Sequence, residues 1–468
     1  MKADVLNSYP EYKENIDEQL NMLIEDDEHV FVVLDDDPTG VQCVHDINVY
    51  TDWSYESMKE AFNDKLFFIL TNSRALTQSQ SRKIHEEITT VISKISRETG
   101  KKYFYISRGD STLRGHYPME TDILSEGLKK DYGRVDGEIL LPFFREGGRF
   151  TIDDVHYVRY GEELIPCGET EFAKDKTFGY RSSDLKEYIQ EKSNGSIRKE
   201  EVWSVSLNDL RSFNIEKIHK MLLEAKDNQK IIVNAIQEED VKVFCIALYQ
   251  AIKDNRIFNF RSAAALVKCI GGISERPLLS RQEMISEDTG HGGLILVGSH
   301  TEKTTRQLNT LMANADITPL KLRCSSLLES EEAFNEEIER CVAIEEEFLE
   351  QGKTIAVYTD RIVITKEDDD PEEALKRSVR ISEGVYHLVR DLEVKPEFVL
   401  AKGGITSADV GVKGLGIRKA LVLGQIEPGV PVWKADGESK FPNIPYIIFP
   451  GNVGDDETLK NAVEKLLV

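Results

Sequence analysis

The chain has 468 residues, of which 40% are hydrophobic and 30% are charged, as is usual for a soluble globular protein. At about 150 residues per domain, this length favours two or three domains. The formal net charge of -24 at pH 7 argues against nucleic acid or an anionic membrane as a partner, because either would repel the chain.

The first residues are acidic and polar, and no apolar run approaches the length that spans a bilayer. The six cysteines form no CxxC or CxxxC pair and have no histidine at ligand spacing. This pattern disfavours both a zinc site and a disulfide framework. We therefore expect a cytoplasmic protein with reduced thiols.

Changes in composition divide the chain into four segments. We predict a polar N-terminal arm at 1–28, a first α/β domain at 29–275, a connector at 276–292 and a second α/β domain at 293–468. The connector is indicated by its proline and by several closely spaced glycines.

The first candidate site follows an apolar run at 30–34. This run predicts a buried strand, and Asp35, Asp36 and Asp37 come directly after it, before Pro38 and a glycine. Ligands of open α/β sheets bind beyond the carboxyl ends of the strands, so three aspartates in this place favour a site. The alternative is an acidic turn that faces solvent.

A second strand, predicted at 64–70, is followed by Arg74. An arginine at a strand end is suited to clamping a carboxylate or phosphate, although a lone arginine is more often a surface residue. A helix is predicted at 77–98, because isoleucines and a valine recur there at helical spacing and Gly100 follows as a stop.

The densest polar segment lies at 108–116, after a strand predicted at 103–107. It contains Arg108, Gly109, Asp110, Ser111, Thr112, Arg114, Gly115 and His116. Glycines let the backbone approach a ligand closely, and an ion pair between Asp110 and Arg114 alone would not need them. A long loop at 169–180 has the length typical of a functional lid or wall.

Three strands of the second domain each end in glycines and hydroxyl residues. A strand at 294–297 runs into Gly298 and Ser299, a strand at 398–401 into the segment 402–407, and a strand at 446–449 into the segment 450–455. Such corners bind anions through exposed backbone N–H groups and the dipole of the following helix. Three of them in one domain favour a nucleotide polyphosphate over a structural role.

These features predict an α/β protein of two domains, each a mostly parallel sheet flanked by helices, with the active site in the interdomain cleft. Carboxylates, arginines and hydroxyls in the first domain suit a small polyhydroxy acid, and glycine loops in the second suit phosphates. The residues alone therefore indicate a phosphotransferase.

The chain also resembles a known family. The segments DDDPTG, RGDSTLRGH, TEFAKDKTFGY, GSHTEKTTRQ, KGGITS and FPGNVGD are similar, in order and over most of the length from 30 to 456, to those of the four-carbon acid sugar kinases. The resemblance implies an N-terminal domain that binds a sugar acid and a C-terminal domain that binds ATP, and therefore an ATP-dependent sugar acid kinase.

Residue roles follow from the resemblance. It implies ATP contacts at Ser299, Gly403, Gly404, Ile405, Thr406 and Gly451. It implies sugar-acid contacts at Asp36, Arg74, Arg108, Gly109, Asp110, Ser111 and Arg114. Many members have an acidic residue where this chain has Ile405, so only the backbone is expected to serve there. Many have two aspartates where this chain has three, which suggests a subgroup with another substrate.

We expect arginines to clamp the carboxylate of the sugar acid and Asp110 to be the catalytic base, with Asp36 orienting hydroxyls; the reverse assignment stays open. Mg²⁺ is expected with ATP, without an assigned ligand. A lyase or isomerase of sugar acids and a non-catalytic sensor are the alternatives, and a homodimer is possible for an enzyme of this kind.

Overall fold

The computed structural model describes residues 1–10, 12, 15–361, 364, 371–451 and 453–467, without the side chains of residues 371, 372 and 375. The chain forms two compact units. The first comprises Met1–Val44 and Asp52–Glu275, and the second comprises His45–Thr51 and Arg276–Val468.

The strands lie as follows in chain order: β1 Val30–Asp35, β2 Ile47–Tyr50, β3 Leu66–Leu70, β4 Tyr103–Arg108, β5 Gly137–Leu141, β6 Arg149–Ile152, β7 Val155–Tyr160, β8 Glu163–Pro166, β9 Trp203–Val205, β10 Gln229–Val233, β11 Phe258–Ser262, β12 Leu294–Val297, β13 Thr318–Lys321, β14 Ile355–Tyr358, β15 Val399–Lys402, β16 Lys419–Glu427, β17 Val430–Ala435 and β18 Pro445–Phe449.

The α-helices are α1 Ile16–Asp26, α2 Tyr55–Ala61, α3 Gln78–Thr99, α4 Met119–Tyr132, α5 Leu185–Lys192, α6 Leu207–Arg211, α7 Ile215–Glu224, α8 Glu238–Lys253, α9 Ala264–Ile270, α10 Arg281–Met284, α11 Glu302–Asn314, α12 Glu331–Glu350, α13 Pro371–Arg390, α14 Gly404–Asp409 and α15 Thr458–Leu467. Short 3₁₀ turns include Ser73–Ala75 and Phe172–Lys174.

The main sheet of the first unit is parallel, with neighbouring strands in the order β3-β1-β4-β11-β5-β10-β9. Asp35 at the end of β1 lies opposite Leu70 of β3 and Arg108 of β4. The carboxyl ends of these three strands therefore meet at one edge. A small antiparallel sheet of β6, β7 and β8 belongs to the same unit.

Local sequence accounts for these elements. Every residue of β1 and β4 is buried, as expected for parallel strands covered on both faces. Helix α3 confirms the prediction at 77–98: Thr77 and Gln80 form a capping box, and Gly100 ends the helix at a φ of 72°. The polar N-terminal segment contains α1, whose Ile16 and Leu20 are buried.

The second unit combines parallel and antiparallel pairing. Strands β13-β14-β12-β15-β18 are parallel neighbours. They are followed by antiparallel β17, β16 and β2. The segment His45–Thr51 joins this unit because β2 pairs with β16, more than three hundred residues away in sequence.

Apolar side chains from helices and sheet form the core of the second unit. Leu279 and Met284, from the segment predicted to be a connector, are buried in this core with Ile295, Leu400 and Ile447. Within the part of the chain that the structure describes, each helix is too short or too polar to cross a lipid bilayer.

Candidate functional site

Carboxylates and guanidinium groups meet at the carboxyl edge of the first sheet. The chain turns back over Asp35 so closely that a Cβ on Gly40 would lie 1.9 Å from its Oδ2. Asp35 pairs with Arg108, whose Nη1 lies 3.4 Å from Oδ1. The strand-end aspartates therefore form part of a packed polar cluster. They do not form the solvent-facing acidic turn that was the alternative.

Arg74 lies at the centre of this cluster. Its guanidinium pairs with Asp37, lies 3.7 Å from Asp36 Oδ1 and approaches Asp110 Oδ1 to 3.2 Å. The side chain is 19% exposed. Arg74 is thus in the predicted place, but its charge is already balanced by three carboxylates.

The loop after β4 brings Asp110 to the same place. Both of its carboxylate oxygens are engaged: Oδ1 by Arg74, and Oδ2 by the Thr112 hydroxyl and by Arg114 Nε at 2.7 Å. The backbone N–H of Asp110 donates to Asp36 Oδ2 at 3.2 Å. The structure therefore unites the ends of β1, β3 and β4.

Arg261, which the sequence did not single out, supports this loop from β11. Its guanidinium packs on the backbone of Gly109, where a Cβ would lie 1.2 Å from Nη1, and Nη2 donates to the carbonyl of Arg114 at 2.9 Å. A side chain at position 109 would displace Arg261. Glycine at this position therefore leaves the space that Arg261 fills, and only the folded chain reveals this partner.

Burial and ion pairing set the protonation of these carboxyl groups. Burial raises the pKa of Asp35 to about 8, although Arg108 opposes it. Burial also raises the pKa of Asp36, against Arg74, Arg261 and Arg108. At Asp110 burial is outweighed by Arg74 and Arg114, so its pKa lies below the usual range and the group is ionised at neutral pH.

The remaining predicted residues of this unit differ in their contacts. The structure records no hydrogen bond from the Ser111 hydroxyl to any described residue, while the Ser111 carbonyl accepts a hydrogen bond from the His156 ring at 2.8 Å. His116 instead contacts the Leu76 carbonyl at 3.0 Å, which is a packing role. The loop at 169–180 contributes Phe172, whose ring lies 5.1 Å from the Arg114 guanidinium carbon.

The three glycine corners of the second unit line one cavity of about 290 Å³. They contribute Gly298, Ser299, Gly403, Gly404, Ile405, Thr406 and Gly451. Of the segment predicted at 450–455, Asn452 lies outside the described residues. The predicted phosphate loops therefore belong to a single site.

Two of these glycines are needed for the loops to fit together. A Cβ on Gly298 would lie 2.2 Å from the Thr406 hydroxyl oxygen. Gly403 has a φ of 120°, which side chains rarely adopt, and a Cβ there would lie 3.1 Å from that of Ser299. By contrast, a Cβ on Gly404 would point into open space.

Other parts of the second unit complete the cavity without any motif that marks them in the sequence. Thr359 and Asp360 follow β14, Cys324 lies in a short 3₁₀ turn, and Ile381 and Val385 belong to α13. Apolar walls beside polar glycine loops suit a ligand with a flat base and phosphates. The side chain of Ile405 is 67% exposed at this cavity.

Basic side chains lie beside the glycine loops. The buried Lys402 donates through Nζ to the carbonyls of Pro450 at 2.8 Å and Gly451 at 3.4 Å, and it forms no ion pair with the described residues. Burial, together with Lys303, lowers the pKa of Lys402 to about 7. Arg361 donates to the Ser299 carbonyl at 2.7 Å. Lys402, which is partly protonated at neutral pH, and Arg361 are therefore held against the glycine loops.

The donor groups fit a nucleotide better than they fit a metal ion bound by protein alone. Among the described residues, no three histidine, cysteine or acidic side chains are grouped as metal ligands. Asp360, a carboxylate in the cavity wall, is paired with Lys321 and accepts the N–H of Ser325 at 3.2 Å. Mg²⁺ usually binds through substrate phosphates, waters and one or two carboxylates, so it would enter with the nucleotide.

Family models match both units. A sugar-binding N-terminal domain matches residues 31–270, and a nucleotide-binding C-terminal domain matches residues 294–459. The chain belongs to the family with the four-carbon acid sugar kinase architecture. The predicted family and the two-domain α/β fold are confirmed. In this chain, the carboxylate–arginine cluster lies within the residues that match the sugar-binding domain, and the glycine loops lie within those that match the nucleotide-binding domain.

Solved structures share the fold. A Haemophilus influenzae protein of the DUF1537 family is 16% identical, with a TM-score of 0.63 over 93% of this chain and 100% of that protein. A Salmonella typhimurium protein described as a candidate tRNA synthase is 15% identical, with a TM-score of 0.67 over 92% of this chain and 98% of that protein. These likenesses concern the fold alone. A search of curated proteins found no match.

Proposed function

We propose that this protein is an ATP-dependent kinase that phosphorylates a hydroxyl of a small, four-carbon sugar acid. The observation that carries the proposal is the pairing of two sites in one chain. A sugar-binding domain presents ionised Asp110 among arginines, and a nucleotide-binding domain presents three glycine corners around one cavity. A sugar acid lyase or isomerase would not need the second site.

ATP is bound by the second unit in this proposal. Backbone N–H groups at Gly404, Ile405 and Thr406 start helix α14 and face the phosphates, with Ser299 and Gly451 on the adjoining corners. Gly403 precedes the helix and shapes the turn, because its own N–H donates to the Phe449 carbonyl at 2.9 Å. The apolar wall from α13 receives the base. Mg²⁺ bound with ATP would neutralise charge on the β- and γ-phosphate oxygens.

The sugar acid is bound by the first unit. Asp110 is the proton acceptor for the attacking hydroxyl, because its side chain is 11% exposed whereas that of Asp36 is 4% exposed. Proton loss comes late in a loose phosphoryl-transfer transition state, so an ionised carboxylate of low pKa serves if it is well placed. Asp36 holds the Asp110 backbone, and Gly109 and Ser111 flank the base.

The arginines have different roles in this arrangement. Arg74 and Arg108 pair with the buried aspartates and so fix the cluster. Arg114 is 25% exposed and pairs with Asp110 from the side opposite Arg74, which leaves part of its guanidinium for a ligand.

Asp110→Asn tests the proposal, with Asp175→Asn as the matched control. Asp175 is a neighbour of the same Arg114, at 3.8 Å, but is more exposed. We expect Asp110→Asn to lower kcat by about 10²- to 10⁴-fold while ATP and sugar acid still bind, and Asp175→Asn to keep most of the activity. Full turnover by Asp110→Asn would exclude Asp110 as the base.

A further inference from the structure

Arg149, the first residue of β6, is partly buried, and its guanidinium has different surroundings from those of Arg74, Arg108 and Arg211. The guanidinium of Arg74 lies within 4 Å of three aspartates, that of Arg108 lies 3.4 Å from Asp35, and that of Arg211 lies 2.6 Å from Asp240. For Arg149 the structure records neither an ion pair nor a hydrogen bond from the guanidinium to any described residue. Its Nε is buried without a partner.

The surroundings of Arg149 hold the side chain in place. Its guanidinium carbon lies 5.5 Å from the centre of the Phe172 ring, and that of Arg114 lies 5.1 Å from the same ring. A Cβ on Gly147 would lie 3.0 Å from Arg149 Nη1, so the preceding turn closes over the guanidinium. The backbone N–H and carbonyl of Arg149 are both bonded to Phe144, at 2.8 and 3.1 Å.

An unbalanced guanidinium in such a place is costly to the folded protein. Burial lowers the pKa of Arg149. Among the carboxylates, Asp110 favours the charge of Arg149 most, but Asp110 is already paired with Arg74 and Arg114. Charges removed from water normally have a counter-ion. The missing counter-ion would be supplied by an anionic ligand beside Asp110.

We propose that Arg149, together with Arg114, receives the carboxylate of the sugar acid. This rests on the proposed function, which places the acceptor hydroxyl at Asp110. Both guanidinium groups lie against the Phe172 ring, and planar guanidinium groups match a carboxylate with paired hydrogen bonds. The carboxylate thus sits at one end of the acid and Asp110 acts at the other. Arg149 is then the residue that distinguishes an acid from a neutral polyol.

Binding without turnover tests this inference. The probes are D-threonate, L-threonate and D-erythronate, each compared by calorimetry with its primary amide, which has the same shape without the charge. The variants are Arg149→Gln and Arg149→Lys. The control is Arg159→Gln, which changes an arginine of the neighbouring strand β7 whose side chain is 44% exposed. Thermal unfolding checks that each variant is folded.

In the wild type we expect an acid to bind about 10- to 150-fold more tightly than its amide, as for hydrogen bonds to a charged group. Arg149→Gln should abolish most of this preference while binding of the amide changes less than about threefold. Arg149→Lys should keep part of the preference, because it keeps the charge but loses the paired donors. Arg159→Gln should match the wild type.

Equal losses for acid and amide in both folded variants would overturn the inference, since they indicate a structural role. Weakened ATP binding with an unchanged preference for the acid would also overturn it and would assign Arg149 to a phosphate. The inference would also be overturned if the wild type bound no acid more tightly than its amide. An acid that binds through Arg149 but releases no ADP would instead uphold the inference and contradict the proposed kinase activity.

Discussion

Gly404→Ala places one methyl group where the phosphates of ATP lie in the proposed function. A Cβ at this position meets no atom within 4 Å and Gly404 lines the nucleotide cavity, so the methyl group projects into free space in the unliganded protein. Gly404 is also the first residue of α14. Alanine is better than glycine inside a helix by about 1 kcal/mol, so the free energy of unfolding should stay constant or rise slightly.

The ligand, however, should be affected. The methyl group would hold a phosphate away from the backbone N–H groups of the first turn. A hydrogen bond to a charged group is worth about 1.5–3 kcal/mol, so loss of one would weaken ATP binding about 10- to 150-fold. Gly437→Ala is the matched control, because a Cβ there also meets no atom within 4 Å but Gly437 does not line the cavity.

Calorimetric titration with ATP and thermal unfolding with and without ATP measure both effects. ATP should raise the Tm of the wild type and of Gly437→Ala, and should raise that of Gly404→Ala much less at the same concentration. If Gly404→Ala keeps an ATP affinity within about threefold of the wild type, the phosphates do not lie against this turn.

Three further outcomes follow. Gly403→Ala should lower the free energy of unfolding by about 1–3 kcal/mol because of its φ of 120°, and a Tm equal to that of Gly404→Ala would contradict this. The pKa of Lys402 is lowered to about 7, so its ammonium group loses a proton as pH rises through 7. The ATP affinity of the wild type should therefore fall between about pH 6 and 8, and it should fall more steeply than that of Lys402→Met. Glu345 is fully buried with both carboxylate oxygens unpaired, so Glu345→Leu should raise the Tm. Burial raises the pKa of Glu345 well above 4.5, so the wild type loses stability relative to the variant as pH rises above 4.5. An equal Tm difference between the two proteins at pH 5 and at pH 8 would contradict this.

The sequence was most informative where structure is local. Parallel strands buried on both faces appear as continuous apolar runs, so β1, β4, β12 and β15 could be predicted, and α3 was marked by its apolar spacing and its glycine stop. The hairpin of β16 and β17 and its pairing with β2 were not predicted. That pairing joins segments far apart in the chain, which no local pattern encodes.

The residues of the candidate sites also differ in whether the sequence could predict them. Glycines after strands indicated anion corners, and they do line one cavity. The walls from α13 and the end of β14 were missed, because they are selected by tertiary packing alone. Arg74 was predicted as a ligand clamp, yet its neighbours in space are three aspartates. Arg149 follows two glycines after the predicted strand at 139–142, but only the absence of a counter-ion among the described residues distinguishes it from other residues at strand ends.

The most direct test of the account is ATP consumption by the purified protein, measured as ADP release across a panel of four-carbon sugar acids with and without Mg²⁺. We predict that at least one acid stimulates ADP release in the presence of Mg²⁺ and that its neutral amide does not. Conversion of a sugar acid without ATP, or binding of both ligands with no ADP released for any acid, would contradict a sugar acid kinase.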